Sequence, residues 1–406
     1  MMTIPTNGIL VSAPGKVILF GEHAVVHQKY AVAASLGLRT HLYMEKTQDG
    51  ICTLELSDVG VSRQWSLASF PWDLAQDEQE GDHPIKDMTP ELKTRLQELA
   101  GNCTSDAQEQ ALMAFFYLVM TLASPLQERT GFKIGTRSFL PVGAGLGSSA
   151  SYSVVLATSL LIAFDYIPVD FASSPEKASH FETINRYAFK AEQVIHGNPS
   201  GVDNAVAAFG GAKSFLKGKG FSTLEGFQSL RLLLTNTKVP RSTNALVAGV
   251  SERKNKYPEV IDPILTAIDG VSLRCKDAFL KHQNGTMDSN ALIMELEDLV
   301  DINHCLLYAL GVSHPSLEKI RRITGDYGLA SKLTGAGGGG CAVTIIRDDV
   351  DQDTIANVMR LLENEGFDCY QTSVGGAGVG AVTLDAAEDL EWMNAVAMDS
   401  LEKKFI

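Results

Sequence analysis

Leu140-Pro-Val-Gly-Ala-Gly-Leu-Gly-Ser-Ser-Ala150 sets three glycines, at 143, 145 and 147, directly before two serines and an apolar run that ends at Phe164. Glycine reaches backbone conformations closed to other residues and lets a ligand approach with no Cβ in the way. Ser148 and Ser149 stand where a helix would begin, and residues 152–164 read as its buried body. A glycine loop running into a helix start presents unpaired N–H groups and a positive dipole end, which suits a phosphate. The Gly-x-Gly-x-Gly spacing is not the dinucleotide fingerprint, whose second gap is longer, and no Lys follows the last glycine as it would in a P-loop. For the loop alone two readings stay open, a phosphate cradle or a tight turn for helix packing.

The rest of the chain narrows the choice. Its 406 residues suffice for two domains or one large α/β unit. At 45% hydrophobic and 20% charged the composition is globular, with no low-complexity tract. The net charge of −14, with no basic stripe, argues against nucleic acid and against an anionic membrane surface. ATP remains compatible, because local cations and backbone amides decide that binding. Six scattered cysteines show neither zinc-ligand spacing nor a disulfide framework, and point to reduced thiols. No apolar run reaches the ~18 residues of a membrane span. The N-terminus has no secretory pattern, so a soluble cytoplasmic protein is expected, with a peroxisomal fraction left open.

In chain order, residues 9–12 read as a strand, Pro14-Gly15 as a turn, and residues 17–20 as a buried strand interrupted by Gly21-Glu22-His23. Lys16, Glu22 and His23 lie between apolar β-type runs, where unpaired charge is costly to bury. Residues 30–36, 38–44, 51–56 and 59–65 read as strands of an antiparallel or mixed sheet. Residues 77–87 read as an exposed acidic loop, 89–100 and 106–122 as helices, and 132–138 as a strand entering the glycine loop. Ser173-Ser174-Pro175-Glu176 is a helix-start signal for a helix that contains Glu192 and runs to His196. Gly197-Asn-Pro-Ser-Gly201 then stops it. Asp203 opens the next apolar segment, and the commonest role of Asp in that place is an N-cap. The composition shifts near 225–230, a candidate domain boundary. Residues 213–216, 230–234, 342–346 and 370–374 read as strands; 260–279, 291–310, 353–365 and 387–401 read as helices. Five glycines within Gly335–Gly340 weaken the backbone, so such a run serves a close approach of ligand or backbone.

Three glycine-bearing segments, a Lys-Gly-Glu-His turn and acids at 192 and 203 fit phosphoryl transfer, which needs backbone amides, a cation site and a proton acceptor. Ala13-Pro-Gly-Lys16 with Gly21-Glu22-His23, then Pro141–Ser149, then Leu333-Thr-Gly-Ala-Gly-Gly-Gly-Gly-Cys341 resemble, in order, the three motifs of the GHMP kinases (galactose, homoserine, mevalonate and phosphomevalonate kinases). His196-Gly-Asn-Pro-Ser-Gly-Val-Asp-Asn-Ala205 and Arg241-Ser-Thr243 are similar to the branch acting on mevalonate. The resemblance implies an α+β, two-domain fold: a ribosomal protein S5 domain 2-like domain over 1–228 and a ferredoxin-like domain over 229–406, with the last segment free to pack back on the first.

It also implies roles. Asp203 is the catalytic base and Lys16 its neighbour, which also contacts the nucleotide. Ser149 and Glu192 are Mg²⁺ ligands, fitting a hard cation with oxygen donors. Ser138 and Gly143, Ala144, Gly145, Leu146, Gly147, Ser148 and Ser149 hold ATP. Glu22, His23, Tyr152 and Thr243 lie near mevalonate, with His23 facing its carboxylate. Inhibition by prenyl diphosphates, a homodimer and a place in isoprenoid and sterol synthesis, cholesterol included, belong to the same expectation. Phe20 departs from the His common before Gly-Glu-His in animal members and reads as a packing position. Other GHMP kinases and a non-catalytic ligand sensor are the alternatives, although Ala24-Val25 replaces the Thr-Asp a galactokinase would carry after Gly-Glu-His.

Overall fold

β1 (Ile9–Phe20) and β2 (Tyr30–Thr47) are the spine of the fold, antiparallel from Ile9 opposite Met44 to Phe20 opposite Val32. The computed structural model describes residues 8–74, 87–123, 130–141, 143–227 and 229–405. Pro14-Gly15, expected as a turn, is instead a register shift inside the continuous β1. A side chain at 15 would collide with Leu140 and the Leu146 carbonyl, so the shift lets the glycine loop lie directly on the strand. Gly37, expected to separate one strand from the next, lies within β2 against Thr372 and Ser373.

β3 (Ile51–Leu56) and β4 (Val61–Ser66) form a hairpin, and β5 (Gly131–Ser138) lies between β3 and β2. α1 (Pro90–Ala100) begins one residue into the helix expected over 89–100, with Pro at the first turn and Thr89 Oγ accepting the Leu92 N–H. α2 (Asp106–Ala123) and α3 (Ser148–Ala163) are buried over most of their length, and with β3 and β5 they build the largest core. α4 (Lys177–His196) begins after the serines expected to cap it. Residues Phe171–Ser173 form a 3₁₀ turn, and Ser174 Oγ accepts the Glu176 N–H without capping the helix. α5 (Val202–Phe209) leads to β6 (Ala212–Leu216), which pairs with β2, and to β7 (Gly220–Thr223) outside it.

β8 (Leu230–Asn236) opens the second half. It is followed by α6 (Thr243–Lys256), α7 (Pro258–Gln283), α8 (Ser289–Ala309), α9 (Pro315–Gly325), β9 (Ser331–Leu333), β10 (Cys341–Ile345), α10 (Gln352–Asn364) and β11 (Asp368–Val374). Its strands lie antiparallel in the order β11-β8-β10-β9 and join the first half through one residue pair, Leu36 opposite Val374. The result is a mixed α/β fold on a single sheet. α6 gave little pattern to read because only Val250 of it is buried. Leu140, Ala144 and Leu146 of the glycine loop pack in one cluster with Leu232, Leu234 and Val343, so the loop is anchored to both halves.

β12 (Gly380–Thr383) returns to pair with β1. The helix expected over 387–401 is two short ones, α11 (Leu390–Ala395) and α12 (Met398–Glu402), divided by extended Val396 and Ala397. Arg137 holds the break by donating to the carbonyls of Met393 and Val396 at 2.8 and 2.5 Å. The acidic loop lies outside the described residues except for Asp87, which pairs with Lys190 at 2.6 Å. Among the described residues no helix is long and apolar enough to cross a membrane.

Candidate active site

Gly143, Gly145 and Gly147 all take positive φ (71°, 77° and 75°), and Gly147 caps α3 with no side-chain acceptor for its first N–H groups. Those donors, normally satisfied by a cap, are left for a ligand. They border a cavity of about 860 Å³ between the two halves. A side chain at 147 would press on Lys16 at 2.9 Å, and one at 145 would run into Arg241, while 143 meets nothing within 4 Å. Two glycines admit cations of the protein, and the third faces open space.

The β1 register shift brings Lys16 beneath the loop, where its N–H donates to Leu146 O at 2.8 Å. Its ammonium lies 3.3 Å from Asp203 Oδ2. Asp203 is not a cap: Gly201, at φ 80°, occupies that position, and Asp203 sits in the first turn of α5 with its carboxylate on Lys16. Glu192 of α4 is buried nearby, accepting from Ser153 Oγ at 3.1 Å and Ser149 Oγ at 3.3 Å. Burial, and then the Asp203 charge, pushes its carboxyl up to about 7.

The Gly21-Glu22-His23 turn faces the second half. Glu22 is fully buried, its carboxylate bound by Lys332 Nζ of β9 and by Asn303 Nδ2 at 2.9 Å. Burial pushes both members of that pair toward neutrality, Glu22 upward and Lys332 downward, and their mutual attraction opposes it. His23, at φ 60°, donates from Nε2 to Ala336 O at 2.8 Å, which leaves buried Nδ1 as an acceptor with no partner among the described residues. Burial lowers its pKa. A neutral ring with a free acceptor suits a hydroxyl donor better than the carboxylate expected for it.

Profiles of the GHMP kinases N-terminal domain and of the GHMP kinases C-terminal domain match residues 114–211 and 290–364. The mevalonate kinase of Bos taurus is 44% identical over 389 residues, covering 93% of this chain and 97% of that protein. That of Homo sapiens is 42% identical over 400 residues, covering 97% and 99%. The chain belongs to the GHMP kinase family. Identity at this level over nearly the full length of two mevalonate kinases makes it an ATP-dependent phosphotransferase with an alcohol acceptor. Among solved structures, the mevalonate kinase of Methanococcus jannaschii superposes with a TM-score of 0.66 at 25% identity, covering 89% of this chain and 97% of that one.

In this kinase the cavity is lined by Lys16, Glu22, His23, Ser138, Gly143, Gly145, Gly147, Ser148, Ser149, Tyr152, Asp203 and Thr243. Three expected residues stand behind the wall. Ala144 and Leu146 are buried in the core, and Glu192 meets the site through Ser149 and Ser153. Tyr152 hydrogen-bonds Ala111 O at 3.1 Å through its hydroxyl. Thr243 opens α6 beside its cap, Ser242.

A divalent cation fits the donor set. Glu192 is a buried carboxylate that accepts from two hydroxyls and has His196 Nε2 3.7 Å away, an arrangement that a positive ion would relieve, and Ser149 and Glu192 offer the oxygens such an ion prefers.

Other contributors escaped the sequence reading. Arg241, placed only as a member of a motif, donates to Ala144 O at 2.7 Å and to Gly339 O at 3.4 Å, tying the two glycine loops together. Its packing against Gly145, Gly335 and Gly340 ties its position to theirs. Asp58 accepts the Ser138 N–H at 2.9 Å and lines the cavity. No signal marked it, since it lies in a short turn far from any motif.

Proposed function

We propose that this kinase transfers the γ-phosphate of ATP to the 5-hydroxyl of mevalonate, a step of isoprenoid and sterol biosynthesis. The observation that carries the reading is the Lys16–Asp203 pair at 3.3 Å, set at the cavity beside the open N–H groups of α3. As the hydroxyl oxygen attacks the γ-phosphorus, its proton passes to the Asp203 carboxylate. The bond from phosphorus to the β–γ bridging oxygen breaks, and ADP departs. Lys16 favours the negative charge developing on the hydroxyl oxygen, and the loop amides with Arg241 hold the phosphates. Ser149 and Glu192 would hold Mg²⁺, which supplies charge neutralisation to the phosphates when bound. His23 Nδ1 accepts a hydroxyl of the substrate.

The identity of 42–44% to two mevalonate kinases over nearly the whole chain supports mevalonate as the acceptor. The test is ADP release with Mg·ATP against mevalonate, phosphomevalonate, galactose and homoserine. Turnover with mevalonate alone is expected; turnover with another acceptor and none with mevalonate would overturn the reading.

The same cavity supports inhibition by prenyl diphosphates. The loop would take the diphosphate, and Leu56, Val59, Ala107, Ala111 and Ile195 form an apolar wall for the tail. Such inhibition should be competitive with ATP. Exposed Leu273 on α7 and Met294, Ile302 and Tyr308 on α8 support a homodimer through those helices. Six free cysteines support a reducing compartment such as the cytoplasm. A domain division near residue 228 is supported by the separate N- and C-terminal family matches and by the one residue pair, Leu36 opposite Val374, that links β2 to the β11-β8-β10-β9 strands.

A further inference from the structure

We propose that His196 is a positioning residue of the cation site, accepting the hydrogen bond of the Ser149 hydroxyl so that the Ser149 oxygen and the Glu192 carboxylate both turn to the ion. The inference rests on the reading of Ser149 and Glu192 as cation ligands.

Two helix ends meet here. His196 is the last residue of α4, which Gly197 terminates at φ 76°, and Ser149 lies in the first turn of α3. The i,i+4 spacing puts His196 on the same helix face as Glu192, with Nε2 3.7 Å from Oε2. His196 Nε2 also lies 3.1 Å from Ser149 Oγ, closer than the 3.3 Å between that oxygen and Glu192 Oε2.

The direction of the serine proton bears on the role. A serine hydroxyl has one proton and two lone pairs. When it donates to Glu192 Oε2, it takes one of that oxygen's two lone pairs and sets its proton between the two oxygens that would share the ion. Ser153 already donates to the other carboxylate oxygen, Oε1. Among the described residues, the other hydrogen-bond partner of Ser149 Oγ is His196 Nε2. With its ring proton on Nδ1, His196 accepts the hydrogen bond of the hydroxyl and frees both oxygens for the ion. If Nε2 donated instead, it would consume a serine lone pair and compete with the cation. Such outer partners hold ligands in orientation, and losing one typically weakens metal affinity about 10–100-fold.

The test is Mn²⁺ binding to the full-length enzyme in the presence of ADP, read by electron paramagnetic resonance, with ADP binding in EDTA as the reference. H196A should weaken Mn²⁺ binding about tenfold or more and leave metal-free ADP binding within about twofold. H196Q, whose amide oxygen reaches the place of Nε2, should restore most of the loss. In turnover, H196A should raise the Mg²⁺ concentration needed for half-maximal rate.

Unchanged Mn²⁺ affinity in H196A overturns the proposal. So does an equal loss of metal-free ADP binding, or an H196Q no better than H196A. E192Q separates the two levels. If it loses Mn²⁺ while H196A does not, only the role of His196 falls; if neither it nor H196A affects Mn²⁺, the cation site itself is misplaced.

Discussion

Replacing Glu192 by Gln should stabilise the cation-free kinase while abolishing its affinity for the cation. The Glu192 side chain is 4% exposed, and burial together with Asp203 moves its carboxyl from the ordinary 4.5 to about 7. At about 1.4 kcal/mol per tenfold, holding that charge at pH 8 costs the fold about 3 kcal/mol. Glutamine keeps the shape without the charge. With an unfolding entropy of about 2.1 cal/mol/K per residue, a chain of this length should gain about 3–4 °C in Tm.

The sign with pH follows from the raised folded-state value. Between about 4.5 and 7 the folded protein keeps a proton that the unfolded chain has lost. Stability from this group is present at the acid end and lost as pH rises through 7. The advantage of E192Q should therefore be full at pH 8 and shrink below about 1 kcal/mol by pH 5. Thermal unfolding of both proteins in EDTA from pH 5 to 8.5 reads the effect directly, and a repeat with Mg·ADP should raise the Tm of the wild type far more than that of the variant. An E192Q no more stable than the wild type at pH 8, or an advantage that does not shrink toward pH 5, would refute the reasoning.

The other predictions use the same geometry. Asp203→Ala should lower kcat about 10²–10⁴-fold and leave ATP binding within a few fold; near-normal turnover of mevalonate would remove Asp203 as the base. Lys332→Met strands the buried Glu22 carboxylate and should cost about 3–5 kcal/mol in urea unfolding, most of it recovered in the Glu22→Gln, Lys332→Met double variant. A Lys332→Met as stable as the wild type would show that the pair carries no such penalty. Gly145→Ala must displace Arg241 as well as strain a positive φ, whereas Gly143→Ala faces only the backbone strain. The first should therefore raise the KM for ATP at least several-fold more than the second, and equal effects would deny Arg241 its place between the loops.

Much of the site was legible because its chemistry is local in sequence. A glycine loop before a helix offers a phosphate cradle as one of two readings wherever the chain goes next, since the open N–H groups belong to a few consecutive residues. What misled was context. Pro14-Gly15 looks like a turn until Leu140 and the Leu146 carbonyl fill the space beside Gly15 and make a bulge of it. Asp203 has the sequence setting of a cap, and only the arrival of Lys16, 187 positions earlier in the chain, gives its carboxylate another partner.

Sequence alone thus determined the family, the order of the three motifs and the residue types at the phosphate loop, because backbone conformation and donor chemistry are properties of short segments. Tertiary structure decided which charges meet. Glu22 finds Lys332 and Asn303 across some 300 residues, Arg241 bridges two glycine loops, and His196 reaches Ser149. Burial and Coulomb interactions depend on distance in space, and no spacing along the chain encodes them.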